Sequence, residues 1–507
     1  MTHPRTPILI GVGQVTEKDP PIEEASSPLE LIEQATVLAL EDAGISRSNL
    51  SDLSTLVVVK SFREPMRNTP EALANQINAT KATQWLAPDG GNGPQYLVNR
   101  YSEAIFSGEE DFVLLSGAEA MATGRKIVKS GNKPQWSVDS DKDADLLFAD
   151  RQMWNDHELK HGIWQASHVY PLFENALRAH YGNSLEEHQI MMGQLFSRLS
   201  EVAESSPHAW YPVKRSPEEI STATPSNRFV GWPYTKFMNA MNQINQSASL
   251  LLTSIEKAEA MGVDPDRWVF LHGASDVTDV WHVSYRENFY SSPSMKIMGD
   301  NALNMAGLGI KDIKHLDLYS CFPSAVQIAR NELGIPPDDP RHLTVTGGLP
   351  FHGGAGNNYV MNSIAAMADK LRSDRGSYGM VTANGGYISK HAAGIYSTEP
   401  LESDWNRHNS PIVELTTEDI QSPEFTETPT GEAAIETYSI VFGRSGEPEN
   451  GIVVGRTGDI DDPRSKRFLA LVDGDADTLL SMTQEEFVGR KGKVGRENDT
   501  NRFTPAL

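Results

Sequence analysis

Three short segments near the start of the chain recur, in the same order, in its second half. ALEDAGI at 39–45 is matched by ALNMAGL at 302–308, and an Asp-containing loop and an apolar stretch follow each. DGGNGPQYLVNRYSEAIFSG and HGGAGNNYVMNSIAAMADKL are both glycine-rich turns that open a helix, and the strands after them, FVLLSG and GMVTANGG, end in glycine. Three matched pairs predict an internal duplication, so the fold should contain two similar units.

Each unit alternates strand and helix patterns. Residues 7–15, 28–44 and 53–60 are an apolar run, a helical pattern that ends in Gly, and a second apolar run. That order is typical of a βαβ unit, and the alternation resumes from 267 to 398. Between the units, residues 122–245 are rich in Trp, His, Pro and Met and in helical stretches, which predicts a mostly helical insertion.

The end of the chain has a different pattern. A polar, Pro-containing stretch is followed by segments that alternate apolar and polar residues between Gly and Pro turns, as short antiparallel strands do. We therefore predict an α/β protein with a small C-terminal β-barrel. The predicted segments are a first half at 1–121, an inserted domain at 122–245, a second half at 246–398, a linker at 399–415 and a β-domain at 416–507.

Composition limits the function classes. The 507 residues carry a formal net charge of -24, and a chain of that charge is repelled by nucleic acid. No apolar run approaches the roughly 18 residues of a membrane span, and the first residues do not resemble a signal peptide, so we expect a cytoplasmic protein. A single cysteine, Cys321, excludes intramolecular disulfides and multi-cysteine metal sites. We predict a small-molecule ligand and no metal.

The duplication, the central insertion and the glycine turns resemble the thiolase superfamily over about residues 5–398. The nearest resemblance is to thiolase-like protein type 1, which carries an extra C-terminal β-domain. The resemblance implies a duplicated five-layered αβαβα fold with a helical loop domain and a C-terminal barrel of the oligonucleotide/oligosaccharide-binding type. It also implies an acyl-CoA-type thioester as the ligand, with coenzyme A as part of the substrate and no other cofactor.

The motifs of that family can be placed on this sequence. The nucleophilic cysteine falls on Gly90 and the second catalytic cysteine on Ala383, so both thiols are missing. The Asn-Glu-Ala-Phe motif falls on residues 319–322, and the Gly-His-Pro motif on 351–353. Covalent acyl transfer requires a nucleophile, so we predict that conventional thiolase activity is absent.

The resemblance assigns roles to nine residues. Those predicted to be catalytic are Tyr319, His352 and Asn384, and those predicted to bind substrate are Gly90, Gly91, Asn92, Gly93, Gly353 and Gly385. Each has a structural alternative. The glycines suit a tight strand-to-helix turn, His352 can be a buried, backbone-bonded ring, Tyr319 a core residue and Asn384 a helix cap or turn residue. We expect Cys321 to be a small buried hydrophobe.

Two functions remain open at this stage. The first is an enzyme that acts on an acyl-CoA-type thioester without a covalent intermediate, as in retro-aldol C–C cleavage, with Tyr319 or His352 moving the proton. The second is a non-catalytic protein that binds acyl-CoA or lipid in the same cavity. The sequence leaves the choice between monomer and dimer open.

Overall fold

The structure, a computed structural model, describes residues 2–63, 66–407, 410–460 and 462–506. Its strands are β1 (Pro7–Thr16), β2 (Thr55–Val59), β3 (Thr83–Ala87), β4 (Phe112–Ala120), β5 (Phe229–Trp232), β6 (Tyr234–Thr235), β7 (Asn245–Ser254), β8 (Val269–Thr278), β9 (Ile313–Asp317), β10 (Tyr378–Gly385), β11 (Lys390–Ser397), β12 (Val413–Glu414), β13 (Gly431–Phe442), β14 (Pro448–Thr457), β15 (Arg467–Val472), β16 (Lys491–Glu497) and β17 (Thr500–Pro505). Its helices are α1 (Pro28–Ala43), α2 (Thr69–Gln76), α3 (Gly93–Ser107), α4 (Met121–Lys129), α5 (Asp156–Lys160), α6 (Ala166–Tyr181), α7 (Leu185–Ser205), α8 (Pro217–Ser221), α9 (Ile255–Met261), α10 (Pro293–Ala306), α11 (Pro323–Glu332), α12 (Tyr359–Ser373) and α13 (Ala476–Gln484).

The duplication is visible in the strand order. One set of strands runs β3-β2-β4-β7-β1 and the other β9-β10-β11-β8. The pair β2–β4 is parallel, and β4–β7 and β7–β1 are antiparallel. Likewise β9–β10 is parallel, and β10–β11 and β11–β8 are antiparallel. The two sets therefore share one topology, and the duplicated fold predicted from the sequence is confirmed.

Helices α3 and α12 form the central layer. They contact each other, and each contacts strands of both sets, whereas α1 packs on the first set alone and α10 on the second. The two sets join where Ile8 and Leu9 of β1 pair with β8.

Helix α1 shows how the sequence sets the ends of a helix. It begins at a Ser27–Glu30 capping box and ends at Gly44, whose φ of 70° lies in the left-handed region that favours glycine.

The C-terminal region forms the predicted β-barrel. Strands β13, β14, β15, β17 and β16 pair in that order, and β13 pairs with both β14 and β16, which closes five strands into a barrel. Its core includes Tyr438, Phe468 and Phe503, all fully buried. Alternate residues of each strand face this core, and the alternating apolar and polar residues in the sequence therefore predict the barrel correctly.

A buried arginine is among the side chains that connect the barrel to the α/β body. Arg467, on β15, is fully buried; its guanidinium donates to the carboxylate of Glu436 at 2.9 Å and to the backbone carbonyl of Glu287 at 3.0 Å. Glu287 lies in the loop between β8 and α10, so the arginine crosses from the barrel to the second half. The ion pair with Glu436 balances the charge of Arg467 inside the barrel, and the hydrogen bond to the Glu287 carbonyl ties the barrel to the body.

The insertion departs from the sequence pattern in one respect. It contains the helices α4–α8 as expected, but also the hairpin β5–β6, whose first strand pairs with β13 and extends the barrel sheet. Strand β7 begins at the predicted boundary of 245/246 and completes the first set of strands, not the second. The predicted domain limits otherwise stay predictions. Among the described residues, no helix is long and apolar enough to cross a membrane.

Candidate functional site

A cavity of about 510 Å³ opens where loops of the two halves meet. Three chain segments at strand ends line it: the glycine turn between β3 and α3, the segment after β9, and the end of β10. Five of the nine predicted site residues line this cavity: Gly90, Gly91, Tyr319, Asn384 and Gly385. The duplication explains the arrangement, because equivalent loops of two similar units face each other across the central helices.

The glycine turn is fixed by the second half. The backbone N–H of Gly90 donates to Asn357 Oδ1 at 3.0 Å, and the side-chain amide of Asn357 donates to Asp89 Oδ1 and to the Lys60 carbonyl, each at 2.9 Å. The N–H of Gly93 donates to the carbonyl of Gly90 at 2.8 Å and begins α3. In this conformation the Gly90 N–H is already satisfied, so an incoming oxygen would need another donor.

The space beside Gly90 is occupied. Its φ is 157°, and a β-carbon placed there would lie 2.5 Å from Asn92 Oδ1 and 2.7 Å from Lys390 Nζ. Asn92 Oδ1 also lies 2.5 Å from the position of a β-carbon on Gly385. The side chains of Asn92 and Lys390 thus fill the gap between the two glycine turns, beside the position of Gly90.

Tyr319 lies directly over Gly91. A β-carbon on Gly91 would overlap the Tyr319 hydroxyl oxygen and lie 2.6 Å from the carbonyl oxygen of Asn384. The Tyr319 N–H donates to Thr382 Oγ1 at 3.1 Å, and its ring meets Tyr359 edge to face at 5.7 Å between centroids. Glycine at 91 is therefore what allows a phenol to reach the turn.

The insertion contributes a side chain that the sequence analysis missed. Tyr170, on α6, lines the cavity and is stacked on Phe322 at 4.4 Å. Its hydroxyl donates to the Gly386 carbonyl at 3.0 Å and accepts from Asn384 Nδ2 at 2.9 Å. Asn384 Nδ2 also approaches Cys321 Sγ at 4.0 Å. The Asn384 amide is thus held by Tyr170 rather than by the loop that carries it.

The ionisable groups of the cavity have shifted pKa values. Burial raises the pKa of Tyr319 well above its ordinary value, and Cys321 and Tyr359 add to this effect. Burial also raises the pKa of the Cys321 thiol to about 12. It lowers the pKa of Lys390, against the opposing effect of the carboxylates of Asp150 and Asp89. At neutral pH the phenol and thiol are protonated donors, and Lys390 is the basic group of the cavity.

Lys390 is held from several sides. Its ammonium donates to the Asp89 carbonyl at 2.6 Å and lies 5.5 Å from the centre of the Trp281 ring. It is the first residue of β11 and follows the turn that carries Asn384 and Gly385. The sequence analysis missed Lys390. Its position at the start of the strand that follows the second glycine turn is the signal that could have identified it.

His352 lies apart from the cavity. It is 1% exposed and borders a separate hollow that His208 and His342 also line. Tyr359 packs between His352 and Tyr319. Its ring centroid is 5.9 Å from that of His352 and 5.7 Å from that of Tyr319. Burial lowers the pKa of His352 to about 3, with a further contribution from His208, so its ring is neutral at pH 7.

Three more predicted residues lie outside the cavity lining. Gly93 starts α3, Asn92 fills the gap described above, and Gly353 has a φ of 117° and lies against the side chain of Gln246. These placements suit turn geometry. The part of the chain that the structure describes contains no group of three or more His, Cys, Asp or Glu side chains that could hold a metal ion.

Comparison with known proteins agrees with this fold. Residues 413–499 match the family model for the thiolase-like protein type 1 additional C-terminal domain. The crystal structure of a monomeric SCP2-thiolase like protein type 1 from Mycobacterium smegmatis is 34% identical; the match covers 100% of both chains with a TM-score of 0.83.

More distant relatives share part of the chain. An acetyl-CoA acetyltransferase of Methanocaldococcus jannaschii is 24% identical over 312 residues, which is 60% of this chain and 70% of that protein. The structure of the Ltp2-ChsH2(DUF35) aldolase is 19% identical and covers 78% of this chain and 98% of its own, with a TM-score of 0.58. At that identity the last likeness concerns the fold alone.

Proposed function

Because this chain belongs to the SCP2-thiolase-like protein type 1 family, we propose that its cavity binds an acyl-CoA-type thioester and cleaves a C–C bond in it without a covalent intermediate. The observation that carries the proposal is the pair of polar groups at the glycine turn. The Tyr319 hydroxyl and Lys390 Nζ lie against Gly91 and Gly90, where the family has its nucleophile. A phenol and an amine can move protons there, but neither glycine can hold an acyl group.

The reaction that suits these groups is a retro-aldol cleavage of a 3-hydroxyacyl thioester. Lys390 accepts the proton of the 3-hydroxyl in its free-amine form, which burial favours by lowering its pKa, and the carbonyl that forms leaves as an aldehyde or ketone. The electron pair of the broken C–C bond passes to the thioester as an enolate. Tyr319, protonated at neutral pH, donates a hydrogen bond to the enolate oxygen, and Cα then takes back the proton that Lys390 accepted.

The size and lining of the cavity suit this class of ligand. A volume of about 510 Å³ is within the range of small-molecule sites, roughly 300–1,000 Å³. Met153, Phe322 and Leu349 supply apolar surface for an acyl chain, and the polar groups are gathered at the glycine turn. The aldolase among the fold neighbours supports the choice of reaction. The monomeric relative supports a monomer.

The test is cleavage of a panel of 3-hydroxyacyl-CoA thioesters, with mass-spectrometric detection of the shortened thioester and the carbonyl product. Tyr319→Phe and Lys390→Met should each lower the rate by about 10²–10⁴-fold, the range for general acid or base groups. Tyr101→Phe is the matched control, since Tyr101 is a buried tyrosine of α3 that does not line the cavity. Thiolysis by the wild-type protein would contradict the proposal.

A second function is favoured by one observation. The Gly90 N–H is occupied by Asn357 and is not free to hold an oxyanion. A protein with this turn can bind a thioester without activating it. Binding of the thioesters by calorimetry, with no product from any of them, would establish the non-catalytic function in place of the enzyme.

A further inference from the structure

A second concave surface lies beside the cavity, and we infer that it binds a nucleoside oligophosphate. This basic groove has a volume of about 730 Å³ and is lined by five basic residues and one tryptophan: Arg63, Arg125, Lys129, Lys133, Arg444 and Trp136. The elements that supply them are far apart in sequence, from the loop after β2 to the turn between β13 and β14. The inference does not depend on the chemistry of the thioester cavity.

The charge of the groove is opposite to that of the protein. The chain has a net charge of -24, yet the five basic residues are exposed and among the described residues none of them is in an ion pair. Arg125 and Lys129 are four residues apart on α4 and so lie on one face of that helix. Unpaired cations gathered in a concave site provide the contacts that phosphate groups require.

One carboxylate is present in the described lining, and its hydrogen bonds are made within the protein. Glu119 is 2% exposed; its oxygens accept from Ser61 Oγ at 3.0 Å and from the Phe62 N–H at 2.7 Å. In the described lining, one negative charge thus accompanies five positive ones. The remaining excess of positive charge selects a compact anion, because a long polyanion would also meet the acidic surface elsewhere.

The groove also offers contacts for a planar base. Trp136 is partly buried, and its Cη2 lies 3.2 Å from the position of a β-carbon on Gly124, so the ring rests against α4 where the helix has no side chain. At the base of the groove, Gln243 Oε1 is buried and makes no hydrogen bond within the described residues. An aromatic face, an unused acceptor and several cations together fit a nucleotide better than a simple anion.

The nucleotide has two possible sources. It can be a free nucleotide, or the nucleotide end of a CoA thioester. The groove and the cavity share a wall, since a β-carbon on Gly356, a cavity residue, would overlap the carboxylate of Glu119, and a CoA thioester that uses both must cross this wall. The ligand chemistry is the same in both cases, and the probes below separate them.

The experiment is calorimetric titration of the full chain with ADP, inorganic pyrophosphate, coenzyme A and pantetheine, at low and at moderate salt. The test variant is Arg125→Gln with Lys129→Gln, and Trp136→Leu tests the base contact. Lys126→Gln is the matched control: this lysine lies on the same helix but donates to Asp19 at 3.0 Å, and it does not line the groove.

We expect ADP or coenzyme A to bind the wild-type protein. The double variant should weaken that binding by about tenfold, since each exposed ion pair is worth up to about 1 kcal/mol. Lys126→Gln should change it by less than about twofold, and salt should weaken it. ADP binding supports a free nucleotide, whereas coenzyme A binding much more tightly than ADP and pantetheine supports the CoA source.

Two results would overturn the inference. One is that neither ADP nor coenzyme A binds, or that pantetheine binds as tightly as coenzyme A while ADP does not bind. The other is that the double variant and Trp136→Leu both bind ADP and coenzyme A as the wild-type protein does. The altered side chains are exposed or partly buried, and circular dichroism checks that the variants fold. A failure of C–C cleavage would leave these outcomes unchanged, so the two proposals are tested separately.

Discussion

The two glycines on either side of Asn92 should respond unequally to the same substitution. A β-carbon on Gly91 would overlap the Tyr319 hydroxyl and lie 2.6 Å from the Asn384 carbonyl oxygen. One on Gly93 would meet nothing within 4 Å. Gly91→Ala and Gly93→Ala therefore make a matched pair that adds one methyl group at each end of a three-residue segment.

The size of the effect follows from these distances. An optimal contact is about 3.5 Å, so Gly91→Ala must separate the turn from the Asn384 backbone by roughly 0.9 Å. Overpacking of this kind costs about 1–3 kcal/mol, and the upper end applies because a strand carbonyl moves less easily than a flexible side chain. Gly93 opens α3 and is followed by Pro94, which disfavours the helical region for a preceding residue that carries a β-carbon. Ala also lowers the entropy of the unfolded chain, which is worth about 0.4–1 kcal/mol. These two effects oppose each other, so Gly93→Ala should cost less than Gly91→Ala.

The assay is thermal unfolding of the two variants and the wild-type protein, with calorimetric binding of one 3-hydroxyacyl-CoA. Gly91→Ala should unfold at a temperature at least about 2 °C lower and bind the thioester more weakly, because Tyr319 is displaced into the cavity. Gly93→Ala should unfold closer to the wild-type temperature than Gly91→Ala does. If Gly91→Ala were as stable as Gly93→Ala and bound thioester normally, Tyr319 could not lie where the structure places it.

Three further predictions concern the barrel, the buried histidine and the missing cysteine. Arg467→Met removes the hydrogen bond to the Glu287 carbonyl and leaves the Glu436 carboxylate without its buried partner, so native proteolysis should release the barrel faster than in wild type; equal rates would contradict the anchoring role. The pKa of His352 falls from 6.5 to about 3 on folding, so the unfolded chain binds more protons between those values and stability decreases as the pH falls below 6.5. As the pH falls, the free energy of unfolding in urea should decrease by about 1.4 kcal/mol less per pH unit for His352→Phe than for the wild-type protein. Identical slopes of this free energy against pH would refute the prediction. Gly90→Cys should form no acyl-enzyme detectable by mass spectrometry after incubation with an acyl-CoA, because Asn92 and Lys390 occupy that space; a stable adduct would show otherwise.

The sequence predicts the fold well because its repeated pattern is local. Each half encodes its strands and helices with apolar runs, caps and glycine turns, and these signals need no knowledge of distant residues. The alternating pattern after residue 415 identifies the barrel for the same reason. The hairpin β5–β6 is missed because its strands have only four and two residues, and it is stabilised by pairing with β13, about 200 residues later.

The site is predicted less completely because it depends on contacts between distant segments. Gly90, Gly91 and Tyr319 are found through motif positions, but Lys390 reaches the Asp89 carbonyl across 301 residues and Tyr170 reaches Asn384 across 214. No periodicity encodes such contacts.

The role predicted for His352 stays a prediction. Tyr359 packs between His352 and Tyr319, so any effect of His352 on the cavity must pass through the Tyr359 ring.

The space around Gly90 is filled, although both positions that the resemblance gives to cysteine carry other residues. Removing a side chain from a packed site usually leaves a cavity that costs stability. Here Asn92 Oδ1 lies close to both Gly90 and Gly385, Lys390 lies beside Gly90, and the Tyr319 hydroxyl covers Gly91. These groups place a carbonyl, an amine and a phenol around Gly90, the position that the family resemblance gives to the nucleophilic thiol. A site that had merely degenerated would have no reason to gather polar groups there, so the arrangement favours selection for a different ligand chemistry at the same turn.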